Sequence, residues 1–251
     1  MNVGCIPKKL FHISTQVKES VQMAEDYGWG QQRDPLENNW EALRTNIQDY
    51  IKGINFGYKK KLKEIGVDFV ESRAKFKDQH TVEFEFGKQG HELRAKSFVI
   101  ATGVRPRQYE ALPELKKWAI TSDDLFSLKE NPGKTLVIGG GYIAVECAGF
   151  LRGLGNEVIL ANRSSILRVF DGDMAHKVID QLEEEGIQIM TGSTIKSVNK
   201  LGERDFEVEI QTKNGDKVKV EKQRVNTILM AIGRDPNPSS YAAEKAGIRL
   251  D

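Results

Sequence analysis

The chain has 251 residues, enough for two ordinary domains with buried cores. Its 37 Lys and Arg residues nearly balance 36 Asp and Glu residues, which argues against a protein that binds nucleic acids or anionic membranes. No apolar run approaches the roughly 20 residues of a membrane span, and no secretory signal opens the sequence. Two cysteines cannot build a disulfide framework, so we expect a reducing compartment, the cytoplasm with the mitochondrion as the alternative.

Helical periodicity dominates the first part of the sequence. Apolar residues recur in steps of three, four and four from Leu10 to Val21, which predicts an amphipathic helix over residues 8–24. A second run of apolar residues continues at helical spacing from Trp40 to about residue 65, where Gly66 ends it.

Short β-rich segments follow the second helix. Residues 68–72, 81–86 and 97–101 are rich in β-branched and aromatic side chains, so each is predicted to be a strand. The glycine-containing segment 87–90 indicates a hairpin-like break.

From Asn131-Pro-Gly133 onward, strands and helices alternate, which is typical of βαβ units around a parallel sheet. Polar and apolar residues alternate at 206–210 and 217–220, which predicts an antiparallel excursion. The nearly continuous apolar run 227–232 predicts a strand that is covered on both faces. We therefore expect an α/β protein with a Rossmann-like fold, in which Asn131-Pro-Gly133 marks the boundary between two domains.

A glycine-rich segment, Gly139-Gly-Gly141-Tyr-Ile-Ala144, lies between a predicted strand and a predicted helix. In a dinucleotide-binding turn of this kind, the first glycine permits a tight bend and the second lets the backbone approach a pyrophosphate. Ala144 then allows close packing of helix and strand, and the amino end of the helix faces the phosphate charge. The alternative interpretation is a glycine-rich turn in another kind of α/β protein.

The end of the next predicted strand indicates which nucleotide is preferred. In an NAD-binding protein this strand ends in Asp or Glu, whereas here it ends in Asn162-Arg163, and Arg168 follows. Because guanidinium groups match phosphate oxygens in bidentate fashion, Arg163 and Arg168 are candidates to bind the 2′-phosphate of NADPH. The alternative is that both are ordinary surface arginines. Arg107 is a further candidate for a phosphate contact.

The two cysteines have different surroundings. Cys5 precedes a predicted helix and Lys8-Lys9, and both features favour a thiolate, so Cys5 is a candidate reactive thiol with an inert thiol as the alternative. Cys147 lies among small residues within the helix that follows the glycine turn, and we interpret it as a core residue. The four histidines show no metal-ligand spacing, so no metal site is expected.

Several motifs resemble the flavin disulfide reductases, the family of glutathione reductase and the large thioredoxin reductases. Asn2-Val-Gly-Cys5-Ile-Pro-Lys-Lys9 is similar to the second half of the family's redox-disulfide motif, and Ala101-Thr-Gly103 is similar to its ATG flavin motif. Ile54-Asn-Phe-Gly-Tyr58 resembles the thioredoxin reductase and thioredoxin–glutathione reductase branch. The remaining segments that carry the resemblance are 105–107, 121–127, 139–150 and 231–237.

The resemblance implies a role for each matching residue. It implies that Cys5 is the redox cysteine nearer the flavin, that Lys8 and Glu146 pair near the flavin ring, and that Tyr142 covers the nicotinamide pocket until NADPH arrives. The implied flavin contacts are Ala74, Thr102 and Gly103. The candidate NADPH-binding residues are Arg107, Gly139, Gly140, Gly141, Tyr142, Ile143, Ala144, Val145, Glu146, Arg163, Arg168, Ala231, Ile232 and Gly233.

Enzymes of this family pass electrons from NADPH to FAD, then to a redox disulfide, and finally to a protein or glutathione disulfide. The resemblance thus implies an NADPH-dependent flavoprotein disulfide reductase of the thioredoxin reductase type, acting on thioredoxin, with a homodimer expected for the intact protein. Glutathione reductase is the alternative within the same class. A catalytically silent NADPH-binding module is the alternative of another class, while lipoamide dehydrogenase would need an acidic residue near Asn162.

The sequence matches only the middle of the family pattern. The family's first redox cysteine would fall immediately before Met1, and the amino-terminal flavin fingerprint, the later Gly-Asp flavin motif and the dimerisation domain have no match. Tight FAD binding and full turnover are therefore not expected from this polypeptide alone. The expected parts are a partial FAD-binding domain at 1–130, a complete NADPH-binding domain at 131–236, and a segment returning toward the FAD domain at 237–251.

Overall fold

The computed structural model describes residues 2–30 and 36–250. The chain forms two compact units, Met1–Lys52 with Pro106–Gly233, and Gly53–Arg105 with Arg234–Asp251. The helices are α1 (Cys5–Met23), α2 (Trp40–Glu64), α3 (Pro113–Trp118), α4 (Ser122–Leu125), α5 (Tyr142–Gly153) and α6 (Gly172–Glu184), with 3₁₀ turns at Ala24–Tyr27, Pro238–Tyr241 and Ala243–Ala246. The strands are β1 (Ala74–Asp78), β2 (Thr81–Phe86), β3 (Gln89–Arg94), β4 (Val104–Pro106), β5 (Ile120–Thr121), β6 (Thr135–Ile138), β7 (Val158–Asn162), β8 (Gln188–Thr191), β9 (Ser193–Gly202), β10 (Asp205–Asn214), β11 (Lys217–Val225), β12 (Thr227–Met230) and β13 (Arg234–Pro236).

A parallel sheet of five strands, in the order β5-β12-β6-β7-β8, forms the centre of the first unit. From β6 the chain passes through α5 to β7 and through α6 to β8, and then returns to the opposite side of β6 as β12. The carboxyl ends of β6 and β12 therefore form a topological switch point, the place where open α/β sheets bind their ligands. This architecture confirms the predicted α/β fold with a Rossmann-like sheet.

Both faces of the parallel sheet are covered, which explains why its strands are nearly all apolar. On one face, Val137, Leu160 and Leu229 share a core with α1, α2, α5 and α6. Phe11 of α1 is 0% exposed there, and its ring centroid lies 5.0 Å from that of Trp40. On the other face, residues of β6, β7 and β12 form a second core with α3 and the antiparallel strands.

The antiparallel excursion is a sheet of order β11-β10-β9, which follows the parallel strand β8. It confirms the strands predicted at 206–210 and 217–220, although β10 and β11 are longer than predicted and β9 was not predicted. Periodicity also predicted α1 and α2, and α1 begins three residues earlier than expected, at Cys5, because Pro7 suits the first turn of a helix.

The second unit contains an antiparallel sheet of order β1-β2-β3 and the short pair β13-β4. The strand predicted at 81–86 is confirmed as β2, whereas those predicted at 68–72 and 97–101 are wrong. A strand needs a neighbour for its backbone hydrogen bonds, and no strand in the described part of the chain pairs with either segment. Val99 is 95% exposed as a result. In the described ranges, no helix has both the length and the apolar character needed to cross a membrane.

Candidate functional site

The glycine turn between β6 and α5 lies at the switch point. Gly139 has φ +139°, and a Cβ at this position would lie 2.2 Å from the carbonyl oxygen of Ala231. Its N–H donates to the Ala161 carbonyl at 2.9 Å. Gly139 therefore allows the ends of β6, β7 and β12 to approach one another, which adds a packing requirement to the tight bend expected from the motif.

The start of α5 leaves room for an anion. Gly141 is the N-cap residue, no side chain caps the helix, and no acidic residue occupies the first turn. A Cβ on Gly141 would meet no atom within 4 Å, so the backbone there borders open space. Unsatisfied N–H groups and the helix dipole favour a phosphate at such a helix end. Ala144 is fully buried, which allows the helix to pack closely on the sheet.

The segment 163–168, here called the cationic loop, follows β7 and carries both candidate arginines. Arg163 and Arg168 are exposed, and neither forms an ion pair with any acidic side chain in the described ranges 2–30 and 36–250. The residue before the loop, Asn162, is neutral and buried. In the structure, β7 therefore ends in a neutral buried residue that two exposed arginines follow.

Two contacts hold the cationic loop against the glycine turn. The N–H of Leu167 donates to the Gly140 carbonyl at 2.7 Å, and Leu167 has the left-handed φ of +52° that leucine rarely adopts. A Cβ on Gly140 would lie 3.4 Å from the Ser165 carbonyl oxygen. Sequence reasoning missed Leu167 and Ser165. Ser165 lies two positions after Arg163, and a serine near an arginine is a sequence signal that could have drawn attention to it, whereas nothing local marks the leucine.

The segment after β12 contacts Arg107, another candidate site residue of the first unit. The Ala231 N–H donates to the Ile138 carbonyl at 2.8 Å, and the Arg107 N–H donates to the Gly233 carbonyl at 2.9 Å. Gly233 has φ +128°, and a Cβ there would lie 3.7 Å from the guanidinium carbon of Arg107. The structure thus places Arg107 directly beside the predicted segment Ala231-Ile-Gly233.

An ion pair connects α1 with α5. Lys8 Nζ lies 2.6 Å from Glu146 Oε1, and the two side chains are 27% and 35% exposed. Cys5 is the first residue of α1 and is exposed, while Tyr142, the first residue of α5, is 56% exposed. Residues that are 138 positions apart in sequence are therefore in direct contact, as the resemblance implied for Lys8 and Glu146.

Cys147 is a core residue, as predicted. Its side chain is 1% exposed, and burial, with a smaller contribution from the Glu146 carboxylate, raises the pKa of the Cys147 thiol to about 12. The thiol therefore stays protonated at physiological pH and is not nucleophilic.

The three candidate flavin contacts belong to the second unit, whereas the other candidate site residues belong to the first. Ala74 begins β1 opposite Phe84 of β2. Thr102 and Gly103 are exposed in the irregular segment before β4, and Gly103 has φ +69° with open space where a Cβ would lie.

A parallel sheet with a glycine turn at its switch point and a cationic loop beside it is an arrangement typical of dinucleotide-binding α/β proteins. The chain belongs to the pyridine nucleotide-disulphide oxidoreductase family, whose model matches residues 1–251. This result confirms the family resemblance found in the sequence.

Two kinds of relative are similar to the chain. It is 40% identical over 252 residues to the thioredoxin reductase SEP1 of Emiliania huxleyi, an alignment that covers 100% of this chain and 50% of that protein. It also matches two copper(II) complexes of the HOCl-induced flavoprotein disulfide reductase RclA of Escherichia coli, a cysteine-to-serine mutant and the protein without that mutation, with TM-scores of 0.80 and 0.78. Both matches have 22% identity and cover 99% of this chain and 51% of the other, so they show the fold. The chain spans about half the length of these relatives.

Proposed function

We propose that the chain binds NADPH at the glycine turn and the cationic loop. The observation that carries this proposal is the hydrogen bond from Leu167 to Gly140, because it holds the loop of both arginines against the turn that would bind the pyrophosphate. The open, uncapped start of α5 fits a phosphate group. Arg163 and Arg168 would bind the 2′-phosphate, and Arg107 would add positive charge beside Gly233.

The proposal extends to a flavin-dependent disulfide reductase of the thioredoxin reductase type. Family membership and the 40% identity to a thioredoxin reductase support it. In such an enzyme, FAD would supply the two-electron redox chemistry that connects NADPH oxidation with disulfide reduction. The residues proposed to contact FAD are Ala74, Thr102 and Gly103, and the open backbone at Gly103 fits a close ligand approach.

The residues of α1 and the start of α5 have proposed roles in the same reaction. Cys5 would supply one sulfur of the redox disulfide, and its exposure at the start of α1 fits that role. The pair Lys8–Glu146 would hold the Lys8 ammonium group in a fixed position near the flavin ring, since the contact orients both side chains. Tyr142 would cover the nicotinamide pocket until NADPH binds. The proposed substrate is thioredoxin. The intact enzyme is proposed to be a homodimer.

Nucleotide titration tests the first proposal. We expect the chain to bind NADPH more tightly than NADH, as measured by the change in nucleotide fluorescence on binding. Replacing Arg163→Glu together with Arg168→Glu should weaken NADPH far more than NADH, because each lost charge-assisted contact costs about 1.5–3 kcal/mol. Equal affinities of the unchanged chain for the two nucleotides would refute the proposal.

A matched control separates the cationic loop from net charge. Lys196 and Lys200 are exposed on β9 of the same unit, so Lys196→Glu with Lys200→Glu makes the same change in net charge. We expect this control to retain the preference for NADPH. A control that loses the preference as completely as the arginine variant would show that only long-range charge matters.

Absorbance and disulfide reduction test the reductase proposal. Because tight FAD binding is not expected from this polypeptide alone, the chain is titrated with FAD, and a shift of the flavin absorbance bands would support FAD binding. With FAD in excess, NADPH-dependent reduction of thioredoxin in preference to glutathione disulfide would support the thioredoxin reductase type. A chain that prefers NADPH but leaves the flavin bands unshifted at high FAD concentration would instead support the catalytically silent NADPH-binding module.

A further inference from the structure

Asn162, the last residue of β7, is an unusual core residue. It is 3% exposed, and its Nδ2 donates to the carbonyl of Ser164. Its Oδ1 is buried and accepts no hydrogen bond from the described part of the chain. An unpaired buried amide oxygen destabilises a fold, so an apolar residue of similar size would suit this position better if packing alone mattered.

The same side chain touches both parts of the candidate site. A Cβ on Gly140 would lie 3.3 Å from Asn162 Cβ and 3.4 Å from its Nδ2, so Asn162 packs directly on the glycine turn. Through its bond to Ser164 it also holds the start of the cationic loop. Leu167, with its left-handed φ of +52°, holds the end of that loop on Gly140. The unpaired amide oxygen of Asn162 and the positive φ of Leu167 are both locally unfavourable, and both residues hold the same loop. Local strain of this kind is common at binding sites.

We propose that Asn162 is a positioning residue that makes the site selective for the phosphorylated dinucleotide, an inference that rests on the NADPH binding proposed above. The amide donates to the loop without adding negative charge. A carboxylate here would lose the donor, repel a 2′-phosphate and accept a hydrogen bond from a ribose hydroxyl. An apolar side chain would release the Ser164 carbonyl and let Arg163 move.

The test compares the ratio of dissociation constants, NADH over NADPH, among variants of the full chain. Asn162→Leu should lower the ratio about fivefold through weaker NADPH binding, while the thermal midpoint stays the same or rises because the unpaired oxygen is gone. Asn162→Asp should lower the ratio by roughly 50-fold or more, since it adds a charge against the phosphate. Asn162→Ser, which is too short to reach the Ser164 carbonyl, should lower the ratio as Asn162→Leu does.

Asn156 provides the matched control. It is also buried, and its Nδ2 donates to the Leu151 carbonyl at 3.2 Å, but it precedes β7 at the opposite end of the strand. Asn156→Leu should therefore leave the ratio unchanged, whatever it does to stability. A ratio that falls equally in this control would show a general effect of core amides and would overturn the inference.

The two proposals fail in different ways. An unchanged chain that does not prefer NADPH refutes NADPH selectivity and the role of Asn162 with it. An unchanged chain that prefers NADPH, with Asn162→Leu and Asn162→Ser variants that keep the full preference, refutes the role of Asn162 alone. The result for Asn162→Asp does not alter this conclusion, because its added charge repels the phosphate whether or not the amide positions the loop.

Discussion

Gly139→Ala should destabilise the first unit because the added methyl group has no room. The new Cβ would lie 2.2 Å from the Ala231 carbonyl oxygen and 2.7 Å from its carbon, both backbone atoms, at a φ of +139°. Backbone strain of this kind costs about 1–3 kcal/mol, and overpacking adds about 1–3 kcal/mol. The free energy of unfolding should therefore fall by roughly 2–6 kcal/mol.

The same substitution at Gly141 is the matched control for stability. Gly141 has φ −84°, and a Cβ there would meet no atom within 4 Å, so the free energy of unfolding should change by only about 0.5 kcal/mol. The methyl group would, however, occupy the open space where we propose that the pyrophosphate binds. We expect NADPH affinity to fall about tenfold, a loss of about 1.4 kcal/mol.

Urea unfolding followed by tryptophan fluorescence measures the first effect, and NADPH titration measures the second. The expected result is a separation: one glycine governs folding, and the other, two positions later, governs binding. A Gly139→Ala variant that is as stable as the unchanged chain would show that the close approach to Ala231 is absent. Unchanged NADPH affinity in Gly141→Ala would refute the proposed path of the pyrophosphate.

Three further predictions follow from the same unit. Phe11→Ala should lower the free energy of unfolding by about 3–5 kcal/mol in urea titrations, because the ring is 0% exposed among three aromatic neighbours; a loss below about 1 kcal/mol would contradict this packing. Iodoacetamide at pH 8 should label the exposed Cys5 in the folded chain but label Cys147 only in urea, because burial raises the pKa of Cys147 to about 12; mass spectrometry that finds both labelled at equal rates would disprove it. A double-mutant cycle with Lys8→Met and Glu146→Gln should give a coupling energy of about 1 kcal/mol, and zero coupling would mean that the ion pair does not form in solution.

Sequence reasoning succeeded where the controlling interactions are local. The glycine turn, α5 and the non-acidic end of β7 follow from residue types at fixed spacing, since each reflects backbone geometry within one βαβ unit. The helices α1 and α2 follow in the same way from apolar periodicity.

Sequence reasoning failed where structure depends on a distant partner. Segments 68–72 and 97–101 have strand-like composition, yet composition cannot supply the neighbouring strand that would accept their hydrogen bonds. Conversely, β3 (Gln89–Arg94) has a weak composition for a strand but pairs with β2 along its whole length. In both cases the pairing partner decided the outcome.

The candidate site shows the same division between local and distant causes. The arginines of the cationic loop were found from their position after β7, but their placement depends on the Gly140 carbonyl that accepts from Leu167 across a gap of 27 positions. No local pattern predicts that a leucine adopts a positive φ, because the strain is balanced by contacts made elsewhere. The charged residues Arg163 and Arg168 can thus be identified from the sequence. The residues that position their loop can be identified only from the folded structure. For this reason Asn162, which sequence reasoning used only as a missing carboxylate, gains a structural role when its buried amide is seen to touch both the turn and the loop.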